Sequence, residues 1–177
     1  DLLCRAAMSW KVGDPLDEAT MMGPMVRASA ADFVRKQIED AKANGAQTLL
    51  NVGGWEGAYM APEIVIDVHH GLEIMTEETF GPVVGVMPVE SDEEAVLLMN
   101  DSQFGLTASV WTENLHKAQV IGRKLQTGTV FANRCDYLDP ALAWTGVKNS
   151  GRGCTLSKVG YEHLTRPKSY HMRAVPR

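Results

Sequence analysis

Within Thr76-Glu77-Glu78-Thr79-Phe80-Gly81-Pro82, two adjacent carboxylates stand beside an aromatic ring and a Gly-Pro break. As a pair, Glu77 and Glu78 have the residue types for acid and base work. In an extended backbone, side chains two apart share a face, so Glu78 and Phe80 point one way while Glu77 and Thr79 point the other. A carboxylate beside a ring suits a ligand that is part sugar and part aromatic. Gly81 admits close approach, and Pro82 lacks the N–H needed to continue a central ladder. A solvated acidic strand end before a turn fits the same residues.

Other candidates for chemistry are thin. Cys154 follows Ser150-Gly151-Arg152-Gly153, where an arginine would favour a thiolate, and His163 lies nine residues on. Along one helix that spacing is about 13 Å, too far for a nucleophile–base hydrogen bond, so Cys154 reads as a structural free cysteine. Gly146-Val147-Lys148-Asn149-Ser150-Gly151-Arg152-Gly153 resembles a phosphate loop in composition only, because the order G-x-x-x-x-G-K-[ST] is absent. Cys4, Cys135 and Cys154 are odd in number and widely spaced, which fits a reducing, cytoplasmic compartment better than a disulfide framework. They show no metal-ligand spacing, and no metal site is expected. Neighbouring His69 and His70 would face opposite ways on a strand and chelate one ion poorly.

At 177 residues and 45% hydrophobic content the chain is long enough for one domain with a real core. Its formal net charge of −5 gives no broad basic face and argues against nucleic acid. Lys148, Arg152, Lys158, Arg166, Lys168, Arg173 and Arg177 are scattered through glycine and apolar positions, as surface and oligomer-contact charges are. No apolar run reaches the roughly 20 residues of a membrane span, so no membrane partner is expected. Residue 1 is Asp, which leaves room for a leader peptide upstream.

The elements that would position these residues follow from periodicity. Residues 2–9 are good helix formers without an N-cap in front, as if a helix had begun upstream. Ser29 with Asp32 has capping-box spacing, and Phe33, Val34, Ile38 and Ala41 follow at helical spacing, with Gly45 as stop. Thr48–Val52 reads as a short strand, 53–57 as a turn carrying Trp55 as a plug, and Tyr59–Val68 as an edge strand or one bent at Pro62. Val83–Val89 is almost continuously apolar, the pattern of a strand covered on both faces. Ser91 with Glu94 caps a helix over Ala95–Asn100. Strands at Thr107–Trp111 and Gly128–Asn133 flank a helix from Asn114 to Gln126. This rhythm predicts an α/β fold of βαβ units with a mainly parallel sheet. Ligands in such sheets sit at the carboxyl ends of strands, so the segment Arg134–Gly153, with Tyr137, Leu138 and Trp144, is the natural pocket wall. A helix around Leu156–Leu164 precedes a terminal strand, Ser169–Val175.

Taken together, the chain resembles the C-terminal part of an NAD(P)-dependent aldehyde dehydrogenase. The motifs carrying the resemblance stand in family order: Val12-Gly13-Asp14-Pro15 with Gly23-Pro24; Glu77-Glu78-Thr79-Phe80-Gly81-Pro82; Asn100-Asp101 with Phe104-Gly105-Leu106-Thr107-Ala108; Gly128-Thr129-Val130 with Asn133; and Gly146 through Gly153. They cover nearly the whole chain, and the Glu-Glu-x-Phe-Gly-Pro element is among the more specific of them. The resemblance implies that Glu78 holds the hydroxyls of the nicotinamide ribose of NAD or NADP and that Phe80 packs against the nicotinamide end. It implies an aldehyde substrate reached past Trp144, Leu138 and Tyr137. It further implies a catalytic-domain portion over 1–167 and a C-terminal oligomerisation strand in 168–177 that joins a second copy.

What the resemblance places elsewhere matters equally. In the family a cysteine thiolate attacks the aldehyde, hydride passes to the nicotinamide, and a glutamate assists water attack on the thioester. Those two residues would precede residue 1 in a missing N-terminal half, and this chain alone is expected to be inactive. Cys4 falls in the helix after the nucleophile. Cys154-Thr155-Leu156-Ser157 and Ala143-Trp144-Thr145 depart from commoner Arg-Glu-Leu-Gly and Pro-Phe-Gly, and they fall where the substrate class is decided. The alternative from another class is a non-catalytic assembly or interaction module on the same fold.

Overall fold

The computed structural model describes residues 1–53, 56–135 and 137–175. The chain divides into two units, Asp1–Val89 and Glu90–Arg177. Part of the turn expected at 53–57, including Trp55, and the last two residues of the terminal segment, Arg177 among them, lie outside the described residues.

In the first unit the good helix formers at the start make α1 (Leu2–Met8). A loop tied by a bridge between Val12 and Met22 leads to α2 (Ala28–Ala43). Ala31, Val34, Gln37, Ile38 and Ala41 are its buried stripe, and Gly45, at φ 98°, ends it in a conformation costly for other residues. The expected Ser29 cap is not made. Arg27 is the N-cap and Ser29 lies inside the helix, while Asp32 pairs with Arg35 at 2.8 Å.

β1 (Gln47–Thr48), β2 (Glu63–Ile66), α3 (Glu73–Thr76) and β3 (Val83–Val86) complete this unit. The sheet order is β1-β2-β3, with β2 parallel to β3 and antiparallel to β1. Thus β2 is central, not the edge strand suggested by Pro62. Pro62 stands just before the ladder, which starts with the Glu63 N–H donating to the Pro82 carbonyl at 2.8 Å. The Glu63 carboxylate accepts from the N–H groups of Leu50 and Asn51, satisfying backbone where β1 stops short of the strand expected at 48–52. Val34, Ile38, Ala41, Met60, Val65, Val68, Leu72 and Ile74 form the core, with Val83 packed against it. Each fully buried aliphatic of this kind contributes about 1.5–3 kcal/mol.

The expectation that β3 is covered on both faces fails in this chain. Val84 is 46% and Val86 41% exposed. On that side Leu3 and Trp10 of the α1 region, with Ile64, Pro82 and Val84, line an open groove of about 320 Å³. Helix α1 is too short to cover the whole face.

The second unit contains α4 (Asp92–Asn100), β4 (Phe104–Gly105), β5 (Thr107–Val110), α5 (Leu115–Gly122), β6 (Thr129–Ala132), β7 (Trp144–Thr145), β8 (Val147–Lys148), β9 (Cys154–Thr155) and α6 (Ser157–Leu164). The Ser91 hydroxyl accepts from the Glu94 N–H at 3.1 Å and the Asn114 side chain from the Lys117 N–H at 2.9 Å, so both helices start on side-chain caps. Helix α5 stops at Gly122, short of Gln126.

β5 and β6 pair in parallel, as a βαβ unit requires, whereas β4 with β8 and β7 with β9 are antiparallel. The predicted single, mainly parallel sheet is therefore corrected: the described strands form four small sheets. The helical crossovers produce the two parallel pairings. The β4–β8 and β7–β9 ladders arise because the segment after β6 folds back through tight turns instead of remaining loop. The expected strand at Ser169–Val175 makes no strand pairing among the described residues. No described helix is long and apolar enough to cross a membrane.

Candidate functional site

The residues singled out for a cofactor, Glu78 and Phe80, belong to the first unit, on the loop between α3 and β3. Both are exposed, Phe80 at 79%. Thr79 between them is turned inward, and its hydroxyl donates to Gln37 Oε1 on α2 at 2.8 Å. Exposed Glu78 and Phe80 thus flank an inward Thr79, whereas Glu77, expected to share the Thr79 face, is exposed as well. Glu77 sits at the C-cap of α3 with extended dihedrals, φ −98° and ψ 153°, and donates its N–H to the Glu73 carbonyl at 2.8 Å. Its carboxylate is exposed at a helix end.

The far end of the loop is held by contact. A Cβ on Gly81 would stand 2.7 Å from Val34 Cγ2, and Val34 is 1% exposed and cannot retreat. The Gly in this motif is therefore a close-approach residue, with the backbone seated on α2. The Gly81 carbonyl accepts from the Val83 N–H at 2.8 Å, launching β3. The loop presents a carboxylate with two acceptor oxygens and an open aromatic ring. These groups fit a vicinal diol next to a flat heterocycle.

Tyr137, Leu138 and Trp144 belong to the second unit. Tyr137 is 50% and Leu138 55% exposed, and the Arg134 guanidinium lies over the Tyr137 ring at 3.8 Å from its centroid, a stacking that steadies the start of the segment. Trp144 is half-buried in β7, opposite Thr155 of β9. Short ladders therefore fix Trp144, while Leu138 lies outside any strand.

The glycine-rich segment 146–153 proves to be a structural clamp. Lys148 Nζ donates to the carbonyls of Asn100 and Ser102. Ser150 Oγ accepts from the Gly105 N–H at 2.9 Å, and Asn149 Nδ2 donates to Gln103 Oε1 at 3.0 Å. Lys148, Asn149 and Ser150 are thus engaged with the α4–β4 connection, while Arg152 is exposed. Asn100 in turn accepts from the Gln126 N–H and donates to the Lys124 carbonyl. Asn133, at φ 54°, bonds both backbone groups of Thr112. Asn100 and Asn133 are thus backbone braces.

Cys4 is half-buried in α1 and Cys154 half-buried in β9. Among the described residues no group of three or more His, Cys, Asp or Glu is arranged to hold a metal. Gln37, which sequence reasoning passed over, is the described core's buried polar side chain at 1% exposure. Its signal was a lone amide on the apolar stripe of α2.

A family profile described as "Aldehyde dehydrogenase family" matches residues 1–170. The chain is 37% identical over 168 residues to the NADP/NAD-dependent aldehyde dehydrogenase PuuC of Escherichia coli (strain K12), covering 95% of this chain and 34% of that protein. It is 36% identical over 161 residues to the benzaldehyde dehydrogenase YfmT of Bacillus subtilis (strain 168), covering 90% and 33%. Among solved structures, betaine aldehyde dehydrogenase from Staphylococcus aureus in complex with NAD+ matches with a TM-score of 0.83 at 33% identity, over 91% of this chain and 33% of that one. The NAD+ complex of an aldehyde dehydrogenase from Bacillus cereus matches with a TM-score of 0.86 at 33% identity, over 94% and 34%. The chain spans about a third of the length of the curated relatives it matches.

Proposed function

We propose, from the premise that this chain belongs to the aldehyde dehydrogenase family, that it is the cofactor-orienting and pocket-forming portion of an oxidoreductase that converts an aldehyde to the carboxylic acid with NAD or NADP. The observation that carries the reading is the loop Thr76–Pro82: a motif among the more specific of the family leaves Glu78 and Phe80 exposed on either side of an anchored Thr79. When bound, NAD(P) supplies the hydride acceptor. The two Glu78 oxygens accept from the vicinal hydroxyls of the nicotinamide ribose, which fixes the ring's rotation. Phe80 packs against the nicotinamide end, excluding water from one side. Orientation of this kind converts binding energy into rate.

In this reading Trp144, Leu138 and Tyr137 line the mouth through which the aldehyde enters. The nucleophilic cysteine and the base glutamate come from the upstream part of the same protein, and Ser169–Val175 adds a strand to a neighbouring copy in a homo-oligomer. Support for the reading is the order and coverage of the family match together with the geometry of the loop. The test is an aldehyde panel run on the full-length protein with NAD and with NADP separately. Aldehyde-dependent reduction of at least one cofactor is expected. No reduction of either across aliphatic, aromatic and amino aldehydes overturns the assignment.

A further inference from the structure

We infer that Gln37 is a positioning residue for the cofactor loop: from inside the core it holds Thr79 and thereby sets the direction of Glu78 and Phe80. The inference rests on the role proposed above for Glu78. Its structural basis is independent of that role. Gln37 is 1% exposed and surrounded by apolar side chains of the α2 core, a costly place for an amide. Its oxygen accepts from the Thr79 hydroxyl at 2.8 Å across 42 residues of sequence. Its Nε2 has no hydrogen-bond partner among the described residues. An amide retained in a core with half of its hydrogen-bonding capacity unspent contributes little to folding. What it does contribute is a fixed point under the loop.

The loop needs such a point. Its start is fixed by the Glu77 N–H on the Glu73 carbonyl, and its end by Gly81 packed on Val34. Midway, Thr79 is the residue that must face inward if its two neighbours are to face outward together. With the hydroxyl bonded to α2, rotation of the peptide planes at 78–80 breaks a hydrogen bond whose Gln37 partner, 1% exposed, is shielded from bulk solvent. The same bond ties the loop to the buried stripe through Gln37, Val34 and Ile38, so helix α2 acts as the reference frame for the carboxylate.

The test uses the full-length protein in two measurements. Hydrogen exchange without cofactor reads the loop directly: Thr79→Val, which keeps the shape and removes the hydroxyl, raises amide exchange across 77–80 by roughly 3- to 10-fold, the population shift expected for one net hydrogen bond. Single-turnover hydride transfer falls by a similar factor, with cofactor affinity changed by less than about 2-fold. Thr79→Ser restores both. Gln37→Met reproduces the exchange and rate effects at an unchanged or higher midpoint of unfolding, because it also removes a buried donor without a partner. Wild-type exchange in Thr79→Val overturns the anchor, and raised exchange with a wild-type hydride step overturns its functional use. Glu78→Gln, measured alongside, separates the premise: a wild-type hydride step there removes the role of Glu78 while the exchange result still decides whether Gln37 anchors the loop.

Discussion

The Lys148 ammonium donates to the backbone carbonyl of Asn100 at 2.6 Å, and to that of Ser102 at 2.9 Å. A cation is thereby seated on the last carbonyl of α4, which has no helical partner, and on one just past the helix, where the helix dipole also favours positive charge. Lys148→Met should lower the stability of the second unit by about 1 kcal/mol, modest because the side chain is exposed. Denaturant unfolding checks this. A large loss of cofactor affinity without loss of stability would return the segment 146–153 to the anion-binding reading that its composition first suggests.

Gly128 abuts the backbone carbonyl of Thr145 so closely that an added Cβ would collide with it. Backbone on that side is held by the β7–β9 ladder and cannot give way as a flexible side chain would. Gly128→Ala should therefore cost about 3 kcal/mol or more, read as a lowered unfolding midpoint. A near-neutral result would mean that the β7 segment moves freely.

Glu78→Gln keeps the size of the side chain and replaces one acceptor oxygen with a donor. Under the proposed role it slows single-turnover hydride transfer about 10-fold or more while cofactor affinity changes less, because the ring loses orientation more than contact. An unchanged hydride step would remove Glu78 from the cofactor site.

The Asp17 carboxyl is held below its ordinary range, first by the Lys11 ammonium at 2.8 Å and then by the Ala19 N–H. A depressed carboxylate favours the folded loop above the ordinary aspartate range, and that contribution disappears as pH falls through the lowered value. Lys11→Met should shift the Asp17 titration upward in a carbon-detected NMR pH series. Both groups lie well exposed, so the shift should shrink in high salt.

The residues that announced themselves in the sequence did so through local rules. Val34, Ile38 and Ala41 marked α2 because one face of a helix repeats every three to four positions, and Ser91 marked the start of α4 because its hydroxyl serves the next turn. Ser29 shows the limit of the same reasoning. It has the spacing of a cap, yet two residues upstream Arg27 already turns into the helix. The ladders β7, β8 and β9 are two residues each and too short to show a period. Their existence depends on partners up to 44 positions away. The exposure of Glu78 and Phe80 on either side of Thr79 agrees with alternation, but the Thr79–Gln37 bond was not readable, because a lone amide on the stripe of α2 does not say which residue 42 positions away it meets.

The contact between positions 37 and 79 also constrains descent. Losing the hydroxyl at 79 strands the amide oxygen at 37 in addition to a nitrogen already without a partner, whereas an apolar residue at 37 leaves only a part-buried hydroxyl to be solvated. Substitution through position 37 first is thus the easier route. Lineages that abandon the pair should pass through an apolar residue on the helix while keeping threonine or serine in the loop, and an intermediate with glutamine facing valine should be rare.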